Sequence, residues 1–383
     1  MKLYPHQQKF LDDNPNRALL AFDTGTGKTI CATEWIKLRP GKNILVVCPK
    51  NIKGKWEKDI TGIANAKVCT KEEFKKRDLS RVHGIVIDEA HHCAAPLFVQ
   101  GRSQLAERVF TFIKDKGTHT PVLLLTATPI RSQPWNIHTL LTYLGIYIPM
   151  QEFRKDFYNL VNYPYLPRPA WEPKHDWRGR ARALVERYAY VARLADVVAD
   201  VPEQHEEIVR VKLSPETETA IEQVADENPS AEWYKRHRLQ NGQEKVREII
   251  GIADGFSKVI VVCRYREQIA DYEKQLSKER EVFVLHGDTK DATAVISAAQ
   301  ASSECYFIIQ ADCGAGFDAD TFACMIFASM SFSYVSLVQM RGRINRIHNL
   351  HPNWYYYLIA GEEDERVHEV LQSGQDFDIN KHI

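Results

Sequence analysis

The chain has 383 residues, too many for one small core and suited to two domains of ordinary size. It is 44% hydrophobic and 26% charged, with no apolar run near 18 residues and no apolar core behind Met1-Lys2-Leu3, so neither a membrane span nor a secretory signal is expected. Its eight scattered cysteines form no Cys-x-x-Cys pair, which argues against a zinc site or a disulfide framework and makes a reducing, cytoplasmic compartment the expectation.

The zero net charge is a cancellation. Residues 1–200 hold 31 Lys+Arg against 20 Asp+Glu, and residues 201–383 hold 19 against 30. A basic half suits a polyanionic partner, and two opposite halves also suit each other.

In chain order, Ala18–Phe22 is a short apolar run before a glycine loop, and Ile30–Leu38 reads as a helix closed by Pro40-Gly41. Ile44–Cys48, Gly84–Ile87 and Val122–Leu125 are apolar runs without alternation, the pattern of strands covered on both faces in a parallel sheet. Residues from about 150 to 255 are mostly helical and rich in aromatics and arginine, broken by a surface loop at 163–169. The strand grammar then restarts with Lys258–Cys263, a helix over Glu267–Leu276, and strands at Val282–Leu285, Tyr306–Ile309 and Cys324–Phe327. The expected architecture is α/β: a lobe over 1–150, a helical extension and crossover over 151–202, and a second lobe over 203–383.

Thr24-Gly25-Thr26-Gly27-Lys28-Thr29 follows a strand and opens a helix, as a phosphate loop must. Glycines let backbone N–H groups approach phosphates, Lys28 reaches the β/γ-phosphates and Thr29 ligates magnesium. Phe22 stands where the full pattern has glycine. Asp88 and Glu89 leave a buried strand together. They suit a water-mediated magnesium ligand and a general base, or else two carboxylates capping the next helix. The adjacent His91 and His92 point in different directions on a helix and make a poor metal pair. Thr126 and Thr128, before Pro129, either relay nucleotide state to the acidic pair or mark an ordinary strand exit.

In the second half, Gln339, Arg343 and Arg346 share a face if the segment is helical. Guanidinium groups there suit a γ-phosphate, a nucleic-acid phosphate, or solvent alone. Gly314, Gly316 and Asp318 follow a strand, and the glycines permit close backbone approach to a ligand. Lys75-Lys76-Arg77 reads as a solvated turn. The stretch Trp171–Arg187, with Trp177, Arg178, Arg180 and Arg182, reads either as a nucleic-acid grip or as aromatics packed on a lobe.

The order of these motifs resembles superfamily-two helicases, and among them the Swi/Snf-like DNA translocases. Leu3-Tyr4-Pro5-His6-Gln7 resembles the family's opening glutamine motif. Val47-Cys48-Pro49-Lys50 with Lys55-Trp56-Glu57, and Cys69-Thr70-Lys71, resemble segments that touch the DNA backbone. Asp88-Glu89-Ala90-His91 is similar to the acidic box, Leu125–Pro129 to the Leu-Thr-Gly-Thr-Pro motif, and Gln339–His348 to the last motif.

The resemblance implies two tandem RecA-like lobes with ATP and Mg2+ bound between them. Gln7, Thr24–Thr29, Asp88 and Glu89 would come from the first lobe. Gly316, Asp318, Gln339, Arg343 and Arg346 would come from the second. It implies DNA as partner (duplex, forked or branched), gripped through Lys50, Thr70, Lys71, Thr128, Arg131 and Arg264. With little beyond two lobes, the chain resembles a compact, phage-type motor. Branch migration or annealing is the alternative within that class. An RNA-directed motor, an ATP-gated scaffold and a simple P-loop kinase are further readings.

Overall fold

The structure is a computed structural model and describes residues 3–97, 103–131, 133–162, 169–197, 202–313, 317, 319–345 and 351–382, the side chains of 380 and 381 excepted. The chain divides into two compact units, Met1–Ala199 and Asp200–Ile383.

The first lobe runs α1 (Pro5–Asp13), β1 (Arg17–Phe22), α2 (Lys28–Lys37), β2 (Ile44–Cys48), α3 (Lys53–Asp59), β3 (Ala66–Thr70), α4 (Lys71–Lys76), β4 (Gly84–Asp88), α5 (Gln104–Lys116), β5 (Val122–Leu125) and α6 (Trp135–Tyr143). It continues through α7 (Met150–Phe157), β6 (Tyr158–Val161), β7 (Ala170–Pro173), α8 (Trp177–Tyr188), β8 (Tyr190–Ala192) and α9 (Leu194–Val197). Six of its strands form one parallel sheet, ordered β3-β2-β4-β5-β1-β8.

The unbroken apolar strands follow from what covers them. Successive residues point to opposite faces, so Leu45, Val47, Ile85, Ile87, Val122 and Leu124 meet Val109 and Phe112 of α5 on one side. Val46, Cys48, Val86, Leu123 and Leu125 meet Trp35 and Ile36 of α2 and Trp56 of α3 on the other. With both faces dry, neither residue parity is polar.

The region over 151–202 is less helical than its composition suggests. β6 and β7 pair as an antiparallel hairpin, and β8 joins the first sheet beside β1. Trp177, Ala181 and Val185 of α8 pack with Phe153, Phe157 and Ile137, so the Trp177 ring belongs to a core. Trp171 is exposed on the hairpin, with the Arg154 guanidinium 5.3 Å from its ring centre. The loop expected at 163–169 lies, except for Pro169, outside the described residues.

The second lobe comprises β9 (Gln204–Arg210), α10 (Pro215–Glu222), α11 (Pro229–Gln240), α12 (Glu244–Ala253), β10 (Lys258–Cys263), α13 (Arg266–Leu276) and β11 (Glu281–Leu285). It closes with α14 (Ala292–Ala301), β12 (Cys305–Gln310), β13 (Cys324–Phe327), α15 (Tyr334–Arg341), β14 (Asn353–Ile359), α16 (Glu362–Gln372) and α17 (Ile379–His382). Its sheet is also parallel, ordered β11-β12-β10-β13-β14-β9. The two lobes are therefore α/β layers of the expected RecA-like kind. Among the described residues, no helix is long and apolar enough to cross a membrane.

Candidate nucleotide-hydrolysis site

In a parallel sheet every strand ends at the same edge, and ligands of open α/β sheets bind there. In the first lobe that edge collects Asp23–Gly27 after β1, Lys50 after β2, Lys71 after β3, Glu89 after β4 and Thr126 after β5.

The loop between β1 and α2 is held in a shape only glycine permits at two points. Gly25 and Gly27 have φ of 84° and 88°. A Cβ on Gly27 would run into the buried Gln7 amide, which would have to shift, in addition to the torsional strain. No side chain caps the α2 N-terminus among the described residues. Its first-turn N–H groups and the positive end of the helix dipole suit a phosphate. Lys28 Nζ donates to the carbonyls of Phe22 (2.8 Å) and Asp23 (3.0 Å), folded back along the loop it would leave to reach a phosphate. Thr26 is fully buried, its hydroxyl donating to Asp23 O at 2.8 Å. Thr24 and Thr29 are half-buried.

Gln7, which the resemblance places among the nucleotide-binding residues, is engaged within the protein. It is buried; its Nε2 donates to Thr26 O (3.0 Å) and its Oε1 accepts from Tyr4 N (3.0 Å). His6 Nε2 also lies 2.9 Å from Thr26 O. The glutamine motif here braces the phosphate loop. Asp23 ties that loop to the last sheet strand: its N–H donates to Ala192 O and its carboxylate accepts from Leu194 N, both at 2.9 Å.

Glu89 has φ 50° and ψ 53°, and only it and Asn14 among described non-glycine residues have positive φ. A left-handed conformation costs a residue with a Cβ about 1–2 kcal/mol. Such strain persists where surroundings fix it, and functional sites are where it collects. Glu89 Oε2 lies 3.2 Å from His91 Nδ1. That nitrogen is 2.9 Å from Thr126 Oγ1 and 3.4 Å from Thr128 Oγ1, and Thr128 N donates to Thr126 Oγ1 at 3.0 Å. The acidic box and the two threonines thus form one buried polar cluster. Burial holds the His91 imidazole well below its usual range, with the neighbouring His92 and the positive charges of Arg131, Lys71 and Lys28 acting in the same direction. His91 is therefore neutral at physiological pH. The rings of His91 and His92 are 4.3 Å apart and tilted, but no cluster of metal-ligating residues occurs among the described residues.

Asp88 is held at both oxygens: Oδ1 accepts from Glu89 N (2.9 Å) and Oδ2 from the Trp56 indole (2.8 Å). Each oxygen keeps a lone pair, and with the Thr29 hydroxyl it offers the hard oxygen donors that Mg2+ takes.

The expected nucleic-acid contacts are dispersed. Lys50 is exposed. Thr70 is buried as the cap of α4, its hydroxyl accepting from Glu73 N at 3.1 Å. Thr128 belongs to the His91 cluster. Lys71 is partly buried: burial lowers its pKa, with Cys93, Glu89 and Asp88 acting in the opposite direction. Arg131 acts electrostatically on His91 and His92. Arg264 sits in the second lobe with its guanidinium 3.5 Å from the Phe332 ring centre.

The last motif differs from its expected geometry. α15 ends at Arg341, and Arg343 lies in the turn beyond it, so Gln339 and Arg343 do not share a helical face. Gly342 weakens the helix there. The Arg343 N–H bonds three residues back to Met340 O while its side-chain Nε takes Gln339 O at 3.0 Å, the acceptor a continuing helix would have used. A second guanidinium nitrogen donates to Phe317 O at 2.7 Å, and the residue is buried. Gln339 is buried, its Nε2 without a partner among the described residues. Gly314, Gly316, Asp318 and Arg346 lie outside the described residues.

A phosphate loop, a strained acidic pair and a neighbouring histidine lie at one parallel-sheet edge, in a chain with a second parallel α/β lobe, the arrangement of a two-lobed nucleotide-binding protein. Family models agree: the SNF2-related domain matches residues 63–264, the helicase conserved C-terminal domain matches 243–348, and the type III restriction enzyme res subunit matches 1–81. The first of these covers more than half of the chain, which belongs to the SNF2-related family of superfamily-two helicases, the class of ATP-hydrolysing DNA helicases and translocases. A curated relative is the SWI/SNF-related matrix-associated actin-dependent regulator of chromatin subfamily A-like protein 1 homolog of Caenorhabditis elegans. It is 23% identical over 301 residues, 69% of this chain and 41% of the relative, so the chain spans well under half of that protein's length. Among solved structures, the Sulfolobus solfataricus SWI2/SNF2 ATPase core in complex with dsDNA is 17% identical, with 97% of this chain and 91% of that chain covered at a TM-score of 0.41.

Proposed function

We propose that the protein is a magnesium-dependent ATPase that moves along duplex DNA largely without regard to sequence. The observation that carries this reading is the single polar cluster of Glu89, His91, Thr126 and Thr128 beside the phosphate loop. In it Lys28 and the α2 N-terminus bind phosphate, Thr29 and Asp88 hold magnesium, and Glu89 accepts the proton of the attacking water. His91, neutral, passes the state of Glu89 to the two threonines. Magnesium supplies charge neutralisation on the phosphate oxygens when bound. Arg343 and Arg346 of the second lobe are the transition-state partners this chemistry calls for.

The basic first half supports a polyanionic track. Contacts of Lys50, Lys71, Arg131 and Arg264 with phosphate would be indifferent to base identity. Residues 1–150 and 203–383 would supply the two motor lobes, with 151–202 as an extension and crossover whose β8 completes the first lobe's sheet. An ATPase panel with single-stranded, duplex, forked and four-way DNA and with RNA, paired with strand displacement, tests the reading. Turnover stimulated by duplex without strand release is the expected result. Turnover indifferent to every nucleic acid would replace the motor with an ATP-gated switch, and stimulation confined to four-way DNA would favour branch migration.

A further inference from the structure

Trp56 is 2% exposed, yet α3 around it is a short polar helix: Lys55, Glu57, Lys58 and Asp59 are all exposed. Trp56 is the one buried residue of that helix. Its segment resembles one that touches the DNA backbone, but the indole faces inward and its N–H donates to Asp88 Oδ2 at 2.8 Å.

A buried indole N–H needs an acceptor, and a backbone carbonyl usually serves. Trp35, equally buried on the same face of the sheet, donates to Pro15 O at 2.8 Å. Trp56 instead spends its single donor on a carboxylate at the strand end where magnesium chemistry is placed. A hydrogen bond to a charged acceptor is about twice as strong as a neutral one. An indole can only donate, so it orients the carboxylate without competing for the metal as a ligand. With Oδ1 held by Glu89 N, the plane of the Asp88 carboxylate is fixed from two sides and one lone pair per oxygen remains.

We propose that Trp56 is a positioning residue that orients the Asp88 carboxylate for magnesium. Mg2+ demands near-octahedral geometry, so a carboxylate free to rotate binds it, or its water, less well. Removing an outer hydrogen-bond partner of a metal ligand typically weakens metal affinity or activity about 10–100-fold. The inference rests on Asp88 serving magnesium, and the experiment keeps the two apart.

Trp56→Phe preserves a ring in the core and deletes the donor. Turnover at saturating ATP is measured against magnesium concentration for wild type, Trp56→Phe and Asp88→Asn, with far-UV circular dichroism confirming that each is folded. The magnesium needed for half-maximal turnover should rise about 10–100-fold in Trp56→Phe, with most of the maximal rate recovered at high magnesium. A second readout needs no turnover. The 15N-labelled chain carries seven tryptophans, and the indole N–H resonance absent from Trp56→Phe should move when Mg·ADP is added to wild type and stay still with ADP and chelator. If Trp56→Phe keeps the wild-type magnesium dependence and that resonance ignores Mg·ADP, while Asp88→Asn shifts the dependence, the positioning role is overturned and the reading of Asp88 stands. If Asp88→Asn leaves the dependence unchanged, the reading of Asp88 falls and the inference with it.

Discussion

The two lobes share a parallel sheet and put their buried charge to opposite uses. In the first, titratable groups gather where the strands end, and several keep capacity for a ligand: Asp88 has lone pairs, Lys28 is parked on carbonyls, and Glu89 is held in a strained conformation. In the second, the most buried charge is saturated. Lys245, fully buried in α12, donates to Asn241 Oδ1, Ala328 O, Leu358 O and Asp364 Oδ2 at 2.6–2.8 Å. Asp364 Oδ1 takes Asn241 Nδ2 at 2.9 Å and faces His237 Nε2 at 3.2 Å. This knot ties α11, α12 and α16 to the ends of β13 and β14, and an ammonium with every proton placed has nothing left to offer a ligand. The same fold thus uses polar burial as machinery on one sheet edge and as fastening behind the other.

That contrast is broken if substitutions in the two sets behave alike. The largest effect belongs to the first lobe. Lys28→Ala should abolish ATP turnover while leaving the unfolding transition close to wild type, because hydrogen bonds of the lysine run to its own loop's carbonyls. Wild-type turnover would remove the phosphate-loop assignment. Next, Glu89→Gln should keep nucleotide binding, measured by fluorescent-ATP titration, and slow hydrolysis by roughly 10²–10⁴.

The second lobe should respond in the opposite sense. Asp364→Ala leaves the Lys245 ammonium buried beside neutral acceptors only, and breaking such a pair destabilises by about 3–5 kcal/mol. Hydrogen exchange of α12 and β10 amides should accelerate accordingly while β2 and β4 of the first lobe keep their protection. Lys245→Met with Asp364→Leu, which removes both charges, should recover part of the loss. Uniform acceleration across both lobes would mean that the knot fastens more than its own lobe.

Much of this architecture was legible before any coordinates, and the exceptions have physical causes. Strands buried on both faces, such as Val259–Cys263, announce themselves as apolar runs. β9 does not: it is an edge strand, with Glu206 and Glu207 exposed, and pairs only with β14. β8 is three residues long and carries too little pattern to read. The phosphate loop and the acidic box were legible because their chemistry is local in sequence. The Trp56–Asp88 bond joins residues 32 apart and the Asp23–Leu194 bond residues 171 apart, separations that no spacing rule addresses. Thr70 and Thr128 were expected on a nucleic-acid surface, but a hydroxyl beside a helix start or a buried imidazole is consumed locally. Arg343 was placed on a helix by its spacing alone, and Gly342 with the side-chain cap decided otherwise.

A smaller effect separates the lobes by pH. His237 is buried against Asp364 and Tyr265, with the Lys245 and Arg264 charges also near; burial is the dominant influence and lowers its pKa despite the carboxylate. The unfolded histidine, with a pKa near 6.5, then binds a proton that the folded one refuses. Stability therefore rises with pH across the window between the lowered folded pKa and about 6.5, and falls as pH drops through it. One such group contributes at most about 1.4 kcal/mol per pH unit. His237→Gln should flatten the pH dependence of α11 exchange between pH 5 and 6.5 without changing that of the first lobe, where His91 carries a depressed pKa of its own. An unaltered slope would show that His237 does not set this dependence; Asp364, whose carboxylate is held below the usual range by Lys245 and His237, loses its contribution only below about pH 4 and lies outside the window.

The smallest effect tests whether the first-lobe edge is also where DNA is held. Lys50 is exposed at the end of β2, in a segment whose Trp56 is turned inward to Asp88. Neutralising a phosphate releases one counterion, so Lys50→Ala should weaken duplex binding and reduce the slope of log Kd against log salt by about 1, equally for unrelated sequences. Lys71→Ala separates two roles that lie close together. Lys71 is partly buried, and the charges of Glu89 and Asp88 act on it. If its charge serves the acidic pair, its loss should lower turnover at saturating duplex and leave the salt slope intact. A slope reduced as much as by Lys50→Ala would show instead that the lysine swings out to the phosphate track, and the division between the interior and the surface of this sheet edge would have to be redrawn there.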